Sequence, residues 1–376
     1  MSESKSLRVL GVTANPITIK NGEIKGKGAG FYQAIDRRYT LVDIIAAKRR
    51  PIEEGLHILT SFRPNMRDWR RLYHRDNPTG FHQRTAVVEQ AIRTYEGHYD
   101  VIFQLHTLQS PGTEFKDRRY VLTTDNTHMI QKRHWPQPMS DKSSDEFIHL
   151  EGEVFRHAKH LFPWGSHVRM SMIDDYGIKP ASVHAFGTGA NFQFTELNKD
   201  NYDNQIALMV GRDFERKGGE YILKAWETIH QKLPNAQLWI VGPDKPDKDT
   251  GMNVNWYGLV EDRNKVRSLF EQATLFVMPS LFEPWGHVFL EAMGLGLPCV
   301  GADHLSMPDM IQPGENGLLV PPHDAAALAE ALLDLLAYPE EARRMGSNAF
   351  KRVSDYYNWD AVIGRMAPYI EAAANE

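Results

Sequence analysis

The sequence predicts an α/β protein made of two Rossmann-like domains, each built on a parallel sheet. Short apolar strands alternate with helical patterns along the 376 residues, and strands buried on both faces between helices are typical of βαβ units. This alternation begins again near residue 205, after the polar stretch 195–204. We therefore place 1–198 in a first domain and 199–354 in a second, and expect 355–376 to form a helix that packs back on the first domain.

Apolar runs and apolar periodicity define the predicted elements. The predicted strands are 8–14, 39–46, 100–106, 120–125, 160–165, 182–187, 205–211, 237–242, 254–258, 275–280, 298–303 and 317–322. Helical spacing covers 219–232, 262–272, 286–296, 325–336 and 340–353. Ligands of open parallel sheets bind beyond the carboxyl ends of the strands, so residues that follow a strand are the first candidates for a site.

Composition points to a globular protein of a reducing compartment. Hydrophobic residues make up 42% and charged residues 24% of the chain. The one cysteine, Cys299, excludes a disulfide framework and stands in an apolar stretch, so we expect a buried thiol. No apolar run has the length of a signal peptide or of a membrane span. We expect a cytoplasmic protein, with peripheral attachment to the inner face of a membrane as a further option.

The net charge of −5 hides an asymmetry between the two halves. Residues 1–195 carry 27 Lys and Arg against 21 Asp and Glu, whereas residues 196–376 carry 16 against 27. Within 61–75 five arginines are interleaved with aromatic residues, which suits an anionic membrane surface or a polyanionic acceptor; a solvated helix is the alternative. Because the whole chain is acidic, we expect no nucleic-acid partner.

The stretch GRDFERKGG (211–219) directly follows a predicted strand and opens a helix. A diphosphate could be bound by two cations of this stretch, the planar guanidinium of Arg212 and the compact ammonium group of Lys217. The helix N-terminus adds free N–H groups and a partial positive charge. The alternative is a charged turn of solvated residues.

A second motif, EPWGHVFLEAM, joins a strand to a helix. Gly286 lets the backbone approach a ligand closely, and the N–H groups of Gly286, His287 and Val288 would point at phosphate. Glu291, in apolar surroundings, could accept hydrogen bonds from the diol of a ribose. Glu283 precedes the helix and could reach a sugar. The alternative is a solvated helix whose acidic residues offset its dipole.

These motifs resemble glycosyltransferase family 4, retaining enzymes with the GT-B fold, in which two Rossmann-like domains face each other across a cleft. The resemblance is specific over roughly 205–325, and the first domain matches only in architecture. The matching motifs are GR…KG at 211–218, VG at 241–242, YG at 257–258, EPWG…EAM at 283–293, GLP at 296–298 and NGLLV at 316–320.

The resemblance implies a role for each matched residue. Arg212 and Lys217 would hold the diphosphate of the donor, and Glu291 would bind its ribose. Glu283 would contact the transferred sugar and matter for catalysis. The base would be read by backbone near the YG turn, around Leu259 and Val260.

Two further glycine-containing segments are matched less closely. The glycine-rich loop after the first strand is long here, covering 15–30, and Gly28 and Gly30 could still contact donor or acceptor; a surface loop is the alternative. The segment FGTGAN (186–191) would lie at the hinge near the donor, so Asn191 could line the cleft.

Polar residues at strand ends of the first domain are candidates for the reaction centre. His106 ends a predicted strand and could face the cleft, although a lone histidine is often structural. Many family members have a histidine after the fifth strand. Here Asp125 or Asn126 falls near that position and His128 follows, so which of them faces the sugar is open.

The sequence also departs from the family pattern. Asp309 stands where a glutamate is frequent, in ADHLSMPDMI rather than a Gly-Gly segment. Asp247 and Asp249 form an Asp-x-Asp pair, but they lie in a polar loop without an apolar frame. We therefore expect no metal and no cofactor, since basic groups and helix N-termini could neutralise the diphosphate.

The predicted function is retaining transfer of a hexose from a nucleotide diphosphate sugar to a glycan, lipid-linked or small-molecule acceptor. Alternatives are an epimerase or a sugar phosphorylase of the same fold, since fold does not fix chemistry. A phosphorylase would need a lysine-bound pyridoxal phosphate, for which no clear site is seen. A catalytically silent sugar-nucleotide sensor or scaffold is the remaining alternative.

Overall fold

The structure of the protein, a computed structural model, consists of two compact units. It describes residues 7–20, 22–26, 28–48, 54–55, 58, 62, 64, 69, 77–112, 119–135, 139–191, 196–197, 199–246 and 251–375. Unit 1 comprises Met1–Gly187 with Val362–Glu376, and unit 2 comprises Thr188–Ala361. The last helix, Trp359–Asn375, therefore begins in unit 2 and returns the chain to unit 1.

Unit 1 contains a five-stranded parallel sheet. Its described strands and those of a small hairpin are β1 (Arg8–Thr13), β2 (Ile17–Lys20), β3 (Glu23–Gly26), β4 (Thr40–Ala46), β5 (Val101–Leu105), β6 (Tyr120–Thr124) and β7 (His160–Pro163). The sheet order is β4-β1-β5-β6-β7. Because β1, β5 and β6 are almost wholly buried, their apolar residues form the centre of the unit.

Helices cover the sheet of unit 1. The described ones are α1 (Ala29–Arg38), α2 (Pro78–Arg93), α3 (His128–His134), α4 (Asp141–His157) and α5 (Ser166–Asp174). Side-chain caps fix the start of three of them: Asn77, Thr127 and Ser140 accept from backbone N–H groups of the first turn. These caps fix the residue at which each helix begins.

Two predictions for unit 1 were wrong. The segment predicted as a loop over 15–30 contains the antiparallel hairpin β2–β3, with Gly22 at φ 77 beside its turn. The predicted strand 182–187 contributes a single bridge, between Leu161 and Val183. Its side chains instead pack on the last helix, where the His184 and Tyr369 rings stack at 3.7 Å.

Unit 2 contains a six-stranded parallel sheet. Its strands are β8 (Ile206–Val210), β9 (Gln237–Val241), β10 (Val254–Gly258), β11 (Leu275–Met278), β12 (Cys299–Ala302) and β13 (Gly317–Val320). They follow the order β10-β9-β8-β11-β12-β13. Its helices are α6 (Gly219–Lys232), α7 (Arg263–Gln272), α8 (His287–Gly294), α9 (Met307–Met310), α10 (Ala325–Ala337) and α11 (Pro339–Asp355), and α12 (Trp359–Asn375) follows.

A buried apolar cluster joins the sheet of unit 2 to helices α6 and α10. Trp226 and Leu332 are fully buried in it, and the Trp226 indole N–H donates to the carbonyl of Met252 at 2.8 Å. Cys299 is buried as expected. The predicted helices match α6, α7, α8, α10 and α11 to within two residues. Strand β10 has the predicted bounds, whereas the other strands of this sheet end one or two residues earlier than predicted; Pro279, for example, has no N–H with which to continue β11.

Shortening a buried side chain of α6 tests this packing. Ile222→Ala is expected to lower the free energy of unfolding of unit 2 by about 2–5 kcal/mol, because it opens a cavity under the sheet. Lys224→Ala, at an exposed position of the same helix, should change it by less than about 0.5 kcal/mol. Urea unfolding followed by tryptophan fluorescence measures both, and equal effects would contradict the packing.

Candidate active site

The turn between β8 and α6 holds Lys217 in a fixed position. The Lys217 N–H donates to the carbonyl of Asp213 at 3.0 Å, and the Gly219 N–H donates to that of Phe214 at 2.9 Å. Gly218 lies at φ 74, and a Cβ there would stand 2.1 Å from the Pro279 carbonyl oxygen. Only glycine fits this approach, so the turn is pinned against the end of β11.

Lys217 forms an ion pair with Glu283. Both residues are 8% exposed. Burial lowers the pKa of Lys217, and the neighbouring carboxylate of Glu283 opposes that effect. Arg216 adds a second cation: its Nη1 lies 3.6 Å from Glu283 Oε2 and donates to the Phe282 carbonyl at 2.6 Å. The two motifs predicted from the sequence thus meet through charged side chains.

The turn that carries Glu283 is held by Ser306. This buried hydroxyl lies 3.1 Å from the carbonyl oxygen of Glu283 and 2.9 Å from that of Trp285. Gly286 follows at φ 87 as the N-cap of α8, and a Cβ there would stand 3.1 Å from both Glu283 Cγ and the Phe289 ring. Glycine is therefore required where the backbone turns into the helix.

Glu291 lies in the second turn of α8 and is partly buried. Burial raises the pKa of its carboxyl, while a hydrogen bond from Asn191 and the charge of Arg263 oppose that rise. His287 and Val288 open the same helix, whose first N–H groups have no acceptor within the helix. A carboxylate and a helix N-terminus on one short helix suit a ribose and a phosphate.

The remaining predicted donor residues of unit 2 are more exposed to solvent. Arg212 is exposed, and Leu259, just beyond β10, is 51% exposed while Val260 is partly exposed. The Gly242 N–H donates to the Gly258 carbonyl at 2.8 Å, which ties the VG and YG turns together.

In unit 1 the structure brings His106 and Asp125 together. His106 Nδ1 lies 3.3 Å from Asp125 Oδ1 at the carboxyl ends of β5 and β6, and the Trp164 ring lies 5.5 Å from the His106 ring. His106 adopts φ 65, a left-handed conformation that is uncommon outside glycine. The side chains of both residues are partly exposed, at 18% and 34%, so a ligand can reach the pair.

The neighbouring candidates of unit 1 have other surroundings. Asn126 Nδ2 lies 3.4 Å from Gln131 Oε1. His128 is buried, and its Nε2 lies 3.0 Å from Ser144 Oγ, so this ring is part of the helix packing. Its position inside the unit was not visible from the spacing of the run 123–128.

Gly28 and Gly30 open helix α1. Gly28 is the N-cap at φ 92, where a Cβ would stand 3.2 Å from Leu105 at the end of β5. Gly30 is the second residue of the helix and is partly exposed. Gly28 thus has a structural reason to be glycine beside any contact with a ligand.

Sequence reasoning missed two supporting side chains: Arg216 lies within a charged run, and Ser306 lies in the segment that departs from the family pattern. Asn191 was named as a residue that could line the cleft, but its interaction with Glu291, far away in the sequence, was not foreseen. The Asp-x-Asp pair 247–249 and the arginines of 61–75 lie outside the described residues. Among the residues that the structure describes, no group of three or more His, Cys, Asp or Glu side chains converges as ion ligands would.

The sequence of the chain is similar to those of known glycosyltransferases. Residues 192–352 match the family model described as "Glycosyl transferases group 1". The chain is 24% identical over 314 residues to the MMP alpha-(1->4)-mannosyltransferase of Mycolicibacterium hassiacum, covering 79% of this chain and 75% of that protein. It is 31% identical over 185 residues to the alpha-maltose-1-phosphate synthase of Mycolicibacterium smegmatis, covering 44% of this chain and 46% of that protein.

Solved structures share the fold. Sucrose-phosphate synthase from Thermosynechococcus elongatus superposes with a TM-score of 0.60 at 23% identity, covering 77% of this chain and 79% of its own. HepE from Anabaena in complex with UDP gives a TM-score of 0.62 at 14% identity, covering 97% of this chain and 100% of its own. The chain is a glycosyltransferase with the GT-B fold, as the sequence predicts, and family 4 is compatible with these findings.

In the described part of the chain, no helix combines the length and the apolar composition that crossing a membrane requires.

Replacing the partly buried carboxylate tests the electrostatics of α8. Glu291→Gln is expected to stabilise unit 2 near neutral pH, because burial raises the pKa of Glu291 and makes its charged form costly. The folded-state pKa lies above the unfolded one, so the wild type recovers stability as the pH falls through the raised pKa. The gain of the variant should therefore shrink as the pH falls from neutral toward about 4.3, the ordinary pKa of glutamate.

Thermal melts across that pH range measure the difference, with Glu227→Gln, at an exposed position of α6, as the matched control. A gain that does not change with pH, or a loss of stability throughout, would contradict the assignment.

Proposed function

We propose that the chain is a retaining hexosyltransferase that uses a nucleotide diphosphate sugar as donor. The observation that carries the proposal is the buried Lys217–Glu283 pair, because it joins the two motifs at the carboxyl ends of β8 and β11. A donor bound there would meet a cation for its diphosphate and a carboxylate for its sugar. Glu291, which follows Glu283 in the same motif and interacts with Asn191, would bind the ribose.

The negative charge that develops on the leaving group would explain why the site contains cations. As the glycosidic bond breaks, the sugar develops oxocarbenium character and negative charge grows on the diphosphate. Lys217, Arg212 and the N-terminus of α8 would stabilise that charge. These groups would neutralise the diphosphate without a metal ion, so we propose metal-independent transfer.

The retaining stereochemistry would follow from attack on the face that the diphosphate leaves. In that reaction the departing phosphate oxygen takes the proton of the acceptor hydroxyl, so no separate strong base is required. Glu283 would contact the sugar. Leu259 and Val260 would flank the base, whose recognition by backbone leaves the identity of the nucleotide open.

Unit 1 would bind the acceptor. His106 and Asp125, paired at the carboxyl ends of two strands, are the groups that we assign to the acceptor side. Their oxygen and nitrogen atoms suit the hydroxyl groups of a glycan or of a lipid-linked sugar. The basic segment 61–75 would favour an anionic acceptor or a membrane surface.

A panel of UDP-, GDP- and ADP-sugars, with EDTA or with added magnesium, tests the function. We expect one nucleotide sugar to bind selectively and to be hydrolysed slowly in EDTA, with proton NMR showing that the released sugar first has the anomeric configuration of the donor. Inversion would contradict the mechanism. An epimerised sugar nucleotide would favour an epimerase, and binding without turnover in the presence of glycan and lipid acceptors would favour a silent sensor.

Removing the buried cation should weaken donor binding. Lys217→Ala is expected to weaken binding of the selected nucleoside diphosphate by about tenfold or more, since it removes a charge-assisted hydrogen bond. Lys224→Ala, on the exposed face of the following helix, is the matched control. Isothermal titration of UDP, GDP and ADP measures both, and unchanged affinity in Lys217→Ala would contradict the proposed donor site.

Neutralising the carboxylate of Glu283 should change nucleoside diphosphate affinity and turnover in opposite directions. In Glu283→Gln the competing anion is gone, so Lys217 becomes more available to a diphosphate. We expect tighter nucleoside diphosphate binding, by several-fold, together with a loss of turnover of roughly a hundredfold or more. Weaker binding in this variant would show that Glu283 supports the nucleotide rather than competing for Lys217.

A further inference from the structure

A buried carboxylate in unit 1 accepts hydrogen bonds from the two loops that carry His106 and Asp125. Glu151, on α4, is 2% exposed. Its Oε1 accepts from the hydroxyl of Thr107 at 2.7 Å, and its Oε2 accepts from the backbone N–H of His128 at 2.8 Å. The hydroxyl of Tyr176 also donates to Oε2. One side chain therefore collects three donors.

The partners of Glu151 belong to the two loops that carry the pair. Thr107 is the residue after His106, beyond β5, and His128 lies three residues after Asp125, beyond β6. Burial beside Glu151 raises the pKa of the Tyr176 hydroxyl, which therefore keeps its proton and remains a donor. The carboxylate thus bridges both loops from inside the unit.

The conformation of His106 needs such support. A non-glycine residue at φ 65 persists only when its surroundings hold it in place. The His106 N–H donates to the Thr123 carbonyl at 2.8 Å, and the Gln104 side chain donates to the His106 carbonyl at 2.9 Å. The backbone of His106 is thereby fixed on both sides, and Glu151 fixes the residue that follows.

We infer that Glu151 is a positioning residue for the transfer reaction, because it holds His106 against Asp125 through Thr107 and the N-terminus of α3. The inference rests on the proposed role of His106 on the acceptor side. A buried carboxylate is costly to desolvate and weak evidence of stabilisation. The presence of Glu151 at this point, with donors from two loops at the carboxyl edge of the sheet, is accounted for by placement of the pair.

The test compares variants that keep the volume of the site. Glu151→Gln removes the charge, and Thr107→Val removes one hydroxyl from Glu151 at nearly constant shape. Thr107→Ser retains the hydroxyl and should restore function. Glu153→Gln, on the same helix with a partly exposed side chain, is the matched control.

Steady-state turnover of the nucleotide sugar selected by the panel gives kcat and KM for each variant, and nucleoside diphosphate titration reports on unit 2. We expect Glu151→Gln and Thr107→Val to lower kcat by about tenfold or more, since displacement of about 1 Å can cost roughly a hundredfold. Affinity for the nucleoside diphosphate and KM for the donor should stay within about twofold of the wild type.

A double-mutant cycle tests whether the Glu151 and Thr107 substitutions lower kcat by displacing His106. In a His106→Ala background, Thr107→Val and Glu151→Gln should cause no further loss of kcat. Additive losses there, or a wild-type kcat in Glu151→Gln and Thr107→Val, would overturn the inference while leaving the proposed function standing. Wild-type turnover in His106→Ala itself would refute the role proposed for His106 and the inference with it.

If Glu151→Gln does not fold, the Thr107→Val and Thr107→Ser pair gives the same decision. If kcat falls in both Thr107→Val and Thr107→Ser, the hydrogen bond from the Thr107 hydroxyl to Glu151 is not what positions His106.

Discussion

The ion pair between Lys217 and Glu283 is the interaction on which the arrangement of unit 2 depends. Two buried charges of opposite sign stand at the carboxyl ends of β8 and β11, and each would be strongly destabilising without the other. Arg216 adds a second positive charge near Glu283. When a diphosphate binds Lys217, Glu283 would still have Arg216 beside it. Donor binding would therefore not leave the negative charge of Glu283 without a neighbouring cation.

Close backbone approaches keep this pair in place. Gly218 lies against the Pro279 carbonyl, and Gly286 turns the chain into α8 beside Glu283, where a Cβ at either position would be in close contact. The hydroxyl of Ser306 also donates to the carbonyl of Glu283 and so holds the turn that carries this residue. The constraint is local and lies in the connections after strands, which is where parallel sheets commonly bind ligands.

The sequence allowed the architecture and most of the elements to be predicted, because apolar periodicity records which face of each element is buried. It could not show that His106 and Asp125 are paired, since their contact depends on the register of neighbouring strands. The interaction of Asn191 with Glu291 was not foreseen because it joins a loop and a helix that are far apart in the sequence. The hairpin after β1 was missed because its strands are short and mostly exposed.

The most direct test of this account is a structure of the protein with the nucleoside diphosphate that it binds. The account predicts that a phosphate oxygen lies within hydrogen-bond distance of Lys217 Nζ, that the ribose hydroxyls contact Glu291, and that Lys217 has moved away from Glu283. A nucleotide bound elsewhere, with the Lys217–Glu283 pair intact, would contradict the central claim that this ion pair marks the donor site.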